Sequence, residues 1–197
     1  MAAGANGSMA DSVVGSLYNS NCNTIGLQSL TDGTSNTAAF SEKLVGISSP
    51  TAQLPGGSNG KRYHYPITAT ETIDTGGVAG ANVFLAACKN MPTTTQTDPT
   101  YNGYTASVWS GSHGCTLRFN SYNHFMPPNS ASCYSSSGGN PVGDAMDALT
   151  SMSNHSGGVN VGCCDGSVRF VKDSVSSNAW WALGTRSGGE VISSDAL

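Results

Sequence analysis

From His155 to Val171 the chain alternates between apolar and polar positions. Val159, Val161 and Cys163 interleave with Asn160, Gly162 and Cys164. After Asp165-Gly166, Val168 and Phe170 interleave with Ser167 and Arg169. Successive side chains of a strand point to opposite faces, so this period of two on either side of Asp-Gly predicts a β-hairpin. Asp-Gly suits a type I′ turn, in which both central residues take positive φ. In such a hairpin Asp165 is at the tip and His155 near the base. At about 3.3 Å per residue they are too far apart to bond each other, and His155 needs a partner from elsewhere, such as Asp32 or Glu42.

The same reading covers the rest of the chain. Residues 1–20 are small and polar around Val13, Val14, Leu17 and Tyr18, and suit a short strand or a ragged lead-in. In residues 21–47, Ile25, Leu27 and Leu30 precede a turn at Thr31–Gly33. Thr34 or Ser35 can cap a short helix over 36–44, placing Ala38, Ala39, Phe40 and Leu44 toward the core. The preferred reading is a turn followed by a strand, with Phe40, Glu42 and Leu44 on one side and Glu42 a buried, paired carboxylate. Residues 48–80 read as loop, interrupted by Tyr63-His64-Tyr65 as an edge strand that Pro66 ends. Residues 81–91 predict a helix burying Val83, Phe84, Ala87 and Met91. Residues 92–103 cannot bury apolar surface. Residues 104–126 predict two strands, holding Val108-Trp109 and Leu117/Phe119, around a turn at Ser110–Gly114. Residues 127–153 read as loop with a short helix over 144–152. Ser176-Ser177-Asn178 caps a helix over 179–184, stopped by Gly188-Gly189, and Glu190–Ser193 adds a last strand.

Together these elements predict one α+β domain over residues 1–197. It is an antiparallel twisted β-sheet with one or two short helices and long disulfide-tied loops.

Composition narrows the setting. Charged residues make up 10% of the chain, against roughly 25% in ordinary soluble proteins. Ser, Thr, Asn and Gly stand in their place, which suits an extracellular or wall-associated protein. The net charge is −4 and the only adjacent basic pair is Lys61-Arg62, so phosphate binding has no electrostatic footprint and nucleic acid is excluded as a partner. No run is long and apolar enough to span a membrane. Met1–Gly4 has neither the basic nor the apolar region of a secretory leader, so an export or anchoring segment is expected upstream of residue 1. Six cysteines stand at 22, 88, 115, 133, 163 and 164, with neither CxxC nor zinc-finger spacing. Disulfides are favoured over free thiols, and Cys133 with Cys163 or Cys164 is the preferred pair. Cys163 and Cys164 are neighbours on a strand and point to opposite faces.

Three blocks then stand out. The first runs Leu30-Thr31-Asp32-Gly33-Thr34-Ser35-Asn36-Thr37, with Glu42 following. The second runs Tyr122-Asn123-His124-Phe125-Met126-Pro127-Pro128-Asn129, with Cys133 following. The third is His155-x9-Asp165-Gly166-Ser167-Val168-Arg169-Phe170, continuing into Trp181-x-Leu183-Gly184-Thr185-Arg186-x-Gly188-Gly189-Glu190. In order and spacing they resemble the planctomycete-type prepilin-like proteins with a C-terminal His-x9-Asp-Gly signature, a functionally unassigned family also classed as solute-binding-protein-like. The resemblance implies a β-rich globular head, displayed at the membrane, in a pseudopilus or outside the cell. In that family a pilin-type leader and a long apolar helix precede the head, and residue 1 here does not begin with them. Pilus or pseudopilus subunits are the partners this implies.

Four chemical readings follow. Asp32, Asn36, Glu42 and Asp165 supply oxygens for calcium if their loops converge, as in other extracellular pilin-like heads; otherwise no cofactor is expected. The spacing is not that of an EF-hand. Trp109, Tyr122, His124 and Trp180 are candidates to stack on a surface glycan, or else are core aromatics. A small hydrolase would draw on His155, His124 and Asp32, although Ser112 and His113 are adjacent, which is not how a nucleophile and its base are set. The reading carried forward is a non-catalytic, surface-displayed module.

Overall fold

The computed structural model describes residues 2–4, 26–45, 61–68, 77–96, 122–135, 147–190, 192–193 and 197. The elements are β1 (Ala2–Gly4), β2 (Ala38–Ser41), β3 (His64–Ile67), α1 (Gly77–Lys89), β4 (Tyr122–His124), β5 (Ser132–Ser135), β6 (Asp147–Ala148), β7 (Gly158–Cys163), β8 (Val168–Lys172) and α2 (Ser177–Gly184). The fold class is α+β, as the sequence predicts. Among the described residues the strands form three small sheets, ordered β1-β4, β2-β7-β8 and β3-β5-β6. The β2-β7-β8 sheet and the β5–β6 pair are antiparallel, whereas β1–β4 and β3–β5 are parallel. Parallel pairing joins segments far apart in sequence and leaves no local turn signal.

The hairpin is β7 and β8, in unbroken register from Gly158↔Lys172 to Gly162↔Val168. Its turn is not type I′. Gly166 alone takes positive φ, at 86°. Gly166 N donates to Cys163 O at 3.0 Å and Cys163 N donates to Ser167 O at 2.8 Å, the pattern of a type I turn closed by a glycine bulge. Asp165 stays at negative φ because its Oδ1 accepts from Ser167 N (2.9 Å) and Ser167 Oγ (2.6 Å).

Among the described residues, two apolar clusters form the core. One joins Val159, Val161 and Val171 of the hairpin to Ala38, Tyr122, Trp180 and Leu183. The other joins Phe84, Leu85 and Cys88 of α1 to Phe125, Met126, Cys133 and Ala148. Trp181 packs against both, and its indole N–H donates to Phe125 O at 2.8 Å. The Cys88–Cys133 disulfide ties α1 to β5, so Cys133 does not pair with Cys163 or Cys164, which are both free thiols. No helix among the described residues is long and apolar enough to cross a membrane. A disulfide is consistent with an exported protein.

Local readings are corrected in several places. β3 runs through Pro66 to Ile67; as the edge of its sheet it does not need that N–H. Helix α1 begins at Gly77 and exposes Val83. Asp147-Ala148 is a strand, not part of a helix, and β5 falls where a loop is predicted. Glu190, Ile192 and Ser193 are not in a strand. The readings at Val13–Tyr18, Trp109, Ser110–Gly114, Leu117 and Phe119 lie outside the described residues. Helix α2 is as predicted: Ser176 Oγ accepts from Ala179 N at 3.2 Å.

Candidate functional site

Glu42 follows β2 directly and its side chain reaches across to β7. Its Oε2 accepts from Asn160 N (2.9 Å) and its Oε1 from Asn160 Nδ2 (3.2 Å) and from His155 Nε2 (3.0 Å). Its backbone O accepts from Met152 N at 2.9 Å. Burial opposes the charge on Glu42, but the Asn160 amide, the Asn160 side chain and His155 together outweigh it and hold the carboxyl below its ordinary range. His155 is 54% exposed and Glu42 34%. The imidazole also meets the Phe170 ring edge-on at 6.5 Å. Of the two candidate partners, His155 takes Glu42. A carboxylate that orients a half-exposed imidazole is the arrangement of a general base. Among the described residues, however, no hydroxyl or thiol is bonded to the other ring nitrogen. The nearby Ser153 hydroxyl donates to Gly158 O at 2.7 Å instead.

Asp32 serves a different junction. Its Oδ2 accepts from Gly188 N (2.8 Å) and its Oδ1 from Gly189 N (2.9 Å). Its own N–H donates to Arg186 O at 3.2 Å. Thr185 Oγ1 lies 3.2 Å from Asp32 Oδ2, 2.9 Å from Glu190 Oε2 and 2.9 Å from Ala182 O, and donates its one proton among them. The first block is thereby clipped to the segment after α2. Asn36 Nδ2 donates to Asp32 O at 3.2 Å, and Asp165 N donates to Thr34 O at 3.1 Å, bringing the hairpin tip onto the same turn. Ser167 bonds hold the exposed Asp165 carboxyl below its ordinary range.

The second block turns inward. Tyr122, His124 and Trp180 are buried and pack on one another, with His124 stacked on Trp180 at 3.9 Å. His124 Nδ1–H donates to Trp180 O at 2.9 Å, and Nε2 accepts from Tyr122 OH at 3.1 Å. Burial drives the imidazole pKa down to about 3, against the carbonyl bond that favours protonation, so His124 is neutral. Burial likewise pushes the Tyr122 phenol far above its ordinary range. Asn129 takes left-handed φ, 58°. Its side chain donates to Asp173 Oδ1 (2.7 Å) and accepts from Ser153 N (2.9 Å).

The structure thus brings together Glu42 with His155, Asp32 with Asn36 and the Asp165 turn, and Tyr122 with His124 and Trp180. Trp109 lies outside the described residues. Among the described residues no three His, Cys, Asp or Glu side chains gather closely enough to hold a metal ion. Asn160, Thr185 and Asn129 are the contributors that sequence reasoning missed. Asn160 alternates out of the core face of β7, and that alternation is the one signal that marks it. Gly56-Gly57-Ser58-Asn59-Gly60 has the letters of a hydrolase nucleophile elbow and lies outside the described residues.

The family described as a protein of unknown function (DUF1559) matches residues 2–178. No curated protein and no solved structure matches the chain. The matched span holds the Asp32 turn, Glu42, the His124 block and the whole hairpin, and stops within α2. With its signature residues in place over most of its length, the chain belongs to the DUF1559 family, the prepilin-like, planctomycete-type family that its three blocks resemble.

Proposed function

We propose that the chain is a non-catalytic, exported head displayed at the cell surface, of the kind carried by prepilin-like proteins. The observation that carries this reading is what the signature side chains do. Asp32, Glu42, Asn129 and Asp165 each bond backbone amides, and three of these bonds close contacts between distant segments. His124 is sealed in the core. These are the bonds of a scaffold, spent on holding segments together. The low-charge, hydroxyl-rich composition and the Cys88–Cys133 bond support export. Pilus or pseudopilus subunits, or a surface glycan, are the partners such a head would meet.

The test pairs stability with activity. His155→Ala and Glu42→Gln are each expected to lower the unfolding midpoint, and the wild-type protein is expected to turn over none of a panel of ester and glycoside substrates. Turnover that disappears in His155→Ala would overturn the reading in favour of a hydrolase. Calcium has no part in it, so melting in calcium and in EDTA is expected to give one midpoint. A calcium-dependent rise would return Asp32, Asn36 and Asp165 to the role of ligands.

A further inference from the structure

The β2-β7-β8 sheet buries one face and presents the other to solvent. Val159, Val161 and Val171 alternate onto the core face. On the outer face Phe40 pairs with Gly162 and Gly162 with Val168, which makes one row across the three strands. The next row holds Glu42, Asn160 and Phe170. Phe40 is 65% exposed, Val168 67% and Phe170 47%. Large apolar side chains grouped on one exposed face, rather than scattered singly, mark a binding surface. Two glycines of β7 shape it. A Cβ at Gly158 would lie 2.7 Å from the Phe170 ring, so that ring leans across bare backbone. A Cβ at Gly162 would sit 3.8 Å from Phe40 Cβ, an ordinary contact, so packing within the fold does not require this glycine. What Gly162 provides is a floor. With strands roughly 4.7–4.9 Å apart, Phe40 and Val168 stand about 9–10 Å from each other across it, which leaves room for one sugar-sized ring.

The polar groups beside this floor are acceptors. Glu42 takes the Nε2 proton of His155, which leaves a lone pair on Nδ1 of an imidazole that is 54% exposed and edge-on to Phe170. Asn160 gives an Nδ2 proton to Glu42, which turns its Oδ1 away from the carboxylate. Lone pairs next to aromatic faces call for a ligand that has an apolar face and hydroxyl donors. Charge narrows the choice. Glu42 stands on one flank, and the exposed Lys172, two residues beyond Phe170 on the same face, stands on the other. An acidic ligand meets Glu42 and lacks the donors, a basic one meets Lys172, and a neutral one meets neither penalty. We propose that this face binds a neutral saccharide, with one pyranose ring on the Gly162 floor between Phe40 and Val168 and its hydroxyls donating to His155 Nδ1 and Asn160 Oδ1. The assignment rests on the surface-displayed role proposed above. Tyr122, His124 and Trp180, the described aromatics that the sequence offers to a glycan, are buried and cannot serve. A shallow site of this kind binds weakly, near millimolar.

The test titrates the full chain, followed by amide NMR shifts, with neutral trisaccharides of glucose, mannose, galactose and N-acetylglucosamine. A sialylated trisaccharide and a glucosamine trisaccharide supply the charged arms. At least one neutral sugar is expected to bind with a Kd of about 1 mM and to move the Gly162 and Phe170 amides. Gly162→Val fills the floor with a residue that suits a strand. It is expected to weaken binding at least about tenfold while the unfolding midpoint holds or rises. Phe40→Ala, at an exposed position, is expected to weaken binding about tenfold as well. Val83→Ala, at an exposed apolar position of α1, is expected to leave it unchanged. The proposal is overturned if no neutral sugar binds, if a charged sugar binds more tightly, or if Gly162→Val and Phe40→Ala bind like the wild type. Failure to bind leaves the non-catalytic reading standing, whereas cleavage of a sugar overturns that reading and this proposal with it.

Discussion

At the residue scale, Glu42 and His124 link folding to pH. Glu42 has its carboxyl pKa lowered in the fold, so the folded chain takes up that proton less readily than the unfolded chain. Its contribution is complete above the ordinary carboxylate range and is lost progressively as the pH falls through that range and below it. Glu42→Gln is expected to cost about 1–2 kcal/mol at neutral pH in urea unfolding, because the part-buried carboxylate that accepts the Asn160 amide becomes a weaker, neutral acceptor, and to flatten the acid limb of stability. His155→Ala removes a half-exposed pair and is expected to cost at most about 1 kcal/mol. His124 shifts in the same direction from a different starting point. The fold keeps it neutral down to about pH 3, while the unfolded chain protonates near 6.5. Stability is therefore complete above that value and falls by about 1.4 kcal/mol per pH unit between roughly 6 and 4. Urea midpoints across that range measure the slope, and a flat wild-type profile would contradict a sealed, neutral His124.

At the element scale, the hairpin carries the account. Gly166 occupies the left-handed position that closes its turn, at φ 86°. Gly166→Ala is expected to cost about 1–2 kcal/mol. Gly158→Ala is expected to be worse, because an added Cβ would run into the Val171 carbonyl and lie 2.7 Å from the Phe170 ring. Thermal melting of the two variants ranks them. The strands of this hairpin were legible because their apolar period of two is local. The turn type was not, because the Asp165 side chain decides it by bonding Ser167. β5 was hidden for another reason: Ser132–Ser135 is buried at every position, so no alternation marks it. Phe40 and Val83 misled in the opposite sense, as apolar residues whose element leaves them on the outside.

At the scale of the whole molecule, long-range ties hold the elements together. The disulfide closes a separation of 45 residues between α1 and β5. By loop-closure entropy its removal in Cys88→Ala/Cys133→Ala is expected to cost about 4 kcal/mol, read by unfolding with and without reductant. Sequence order could not choose this pair, since α1 and β5 meet only through tertiary packing. Glu42 is paired, as its place beside Phe40 and Leu44 suggests, but it is one-third exposed and not buried, and Phe40 lies outside the core; His155 takes a distant partner, as its separation from Asp165 requires. The task of Asp32 was not recognisable, because the glycine amides it holds lie 156 and 157 residues away. That junction tests the central claim, that the signature residues hold the fold together. The decisive measurement is urea unfolding of Asp32→Ala against the wild type. The account predicts a loss of about 1–3 kcal/mol from two released backbone amides. Stability unchanged to within about 0.5 kcal/mol, the range of an ordinary surface substitution, would contradict it.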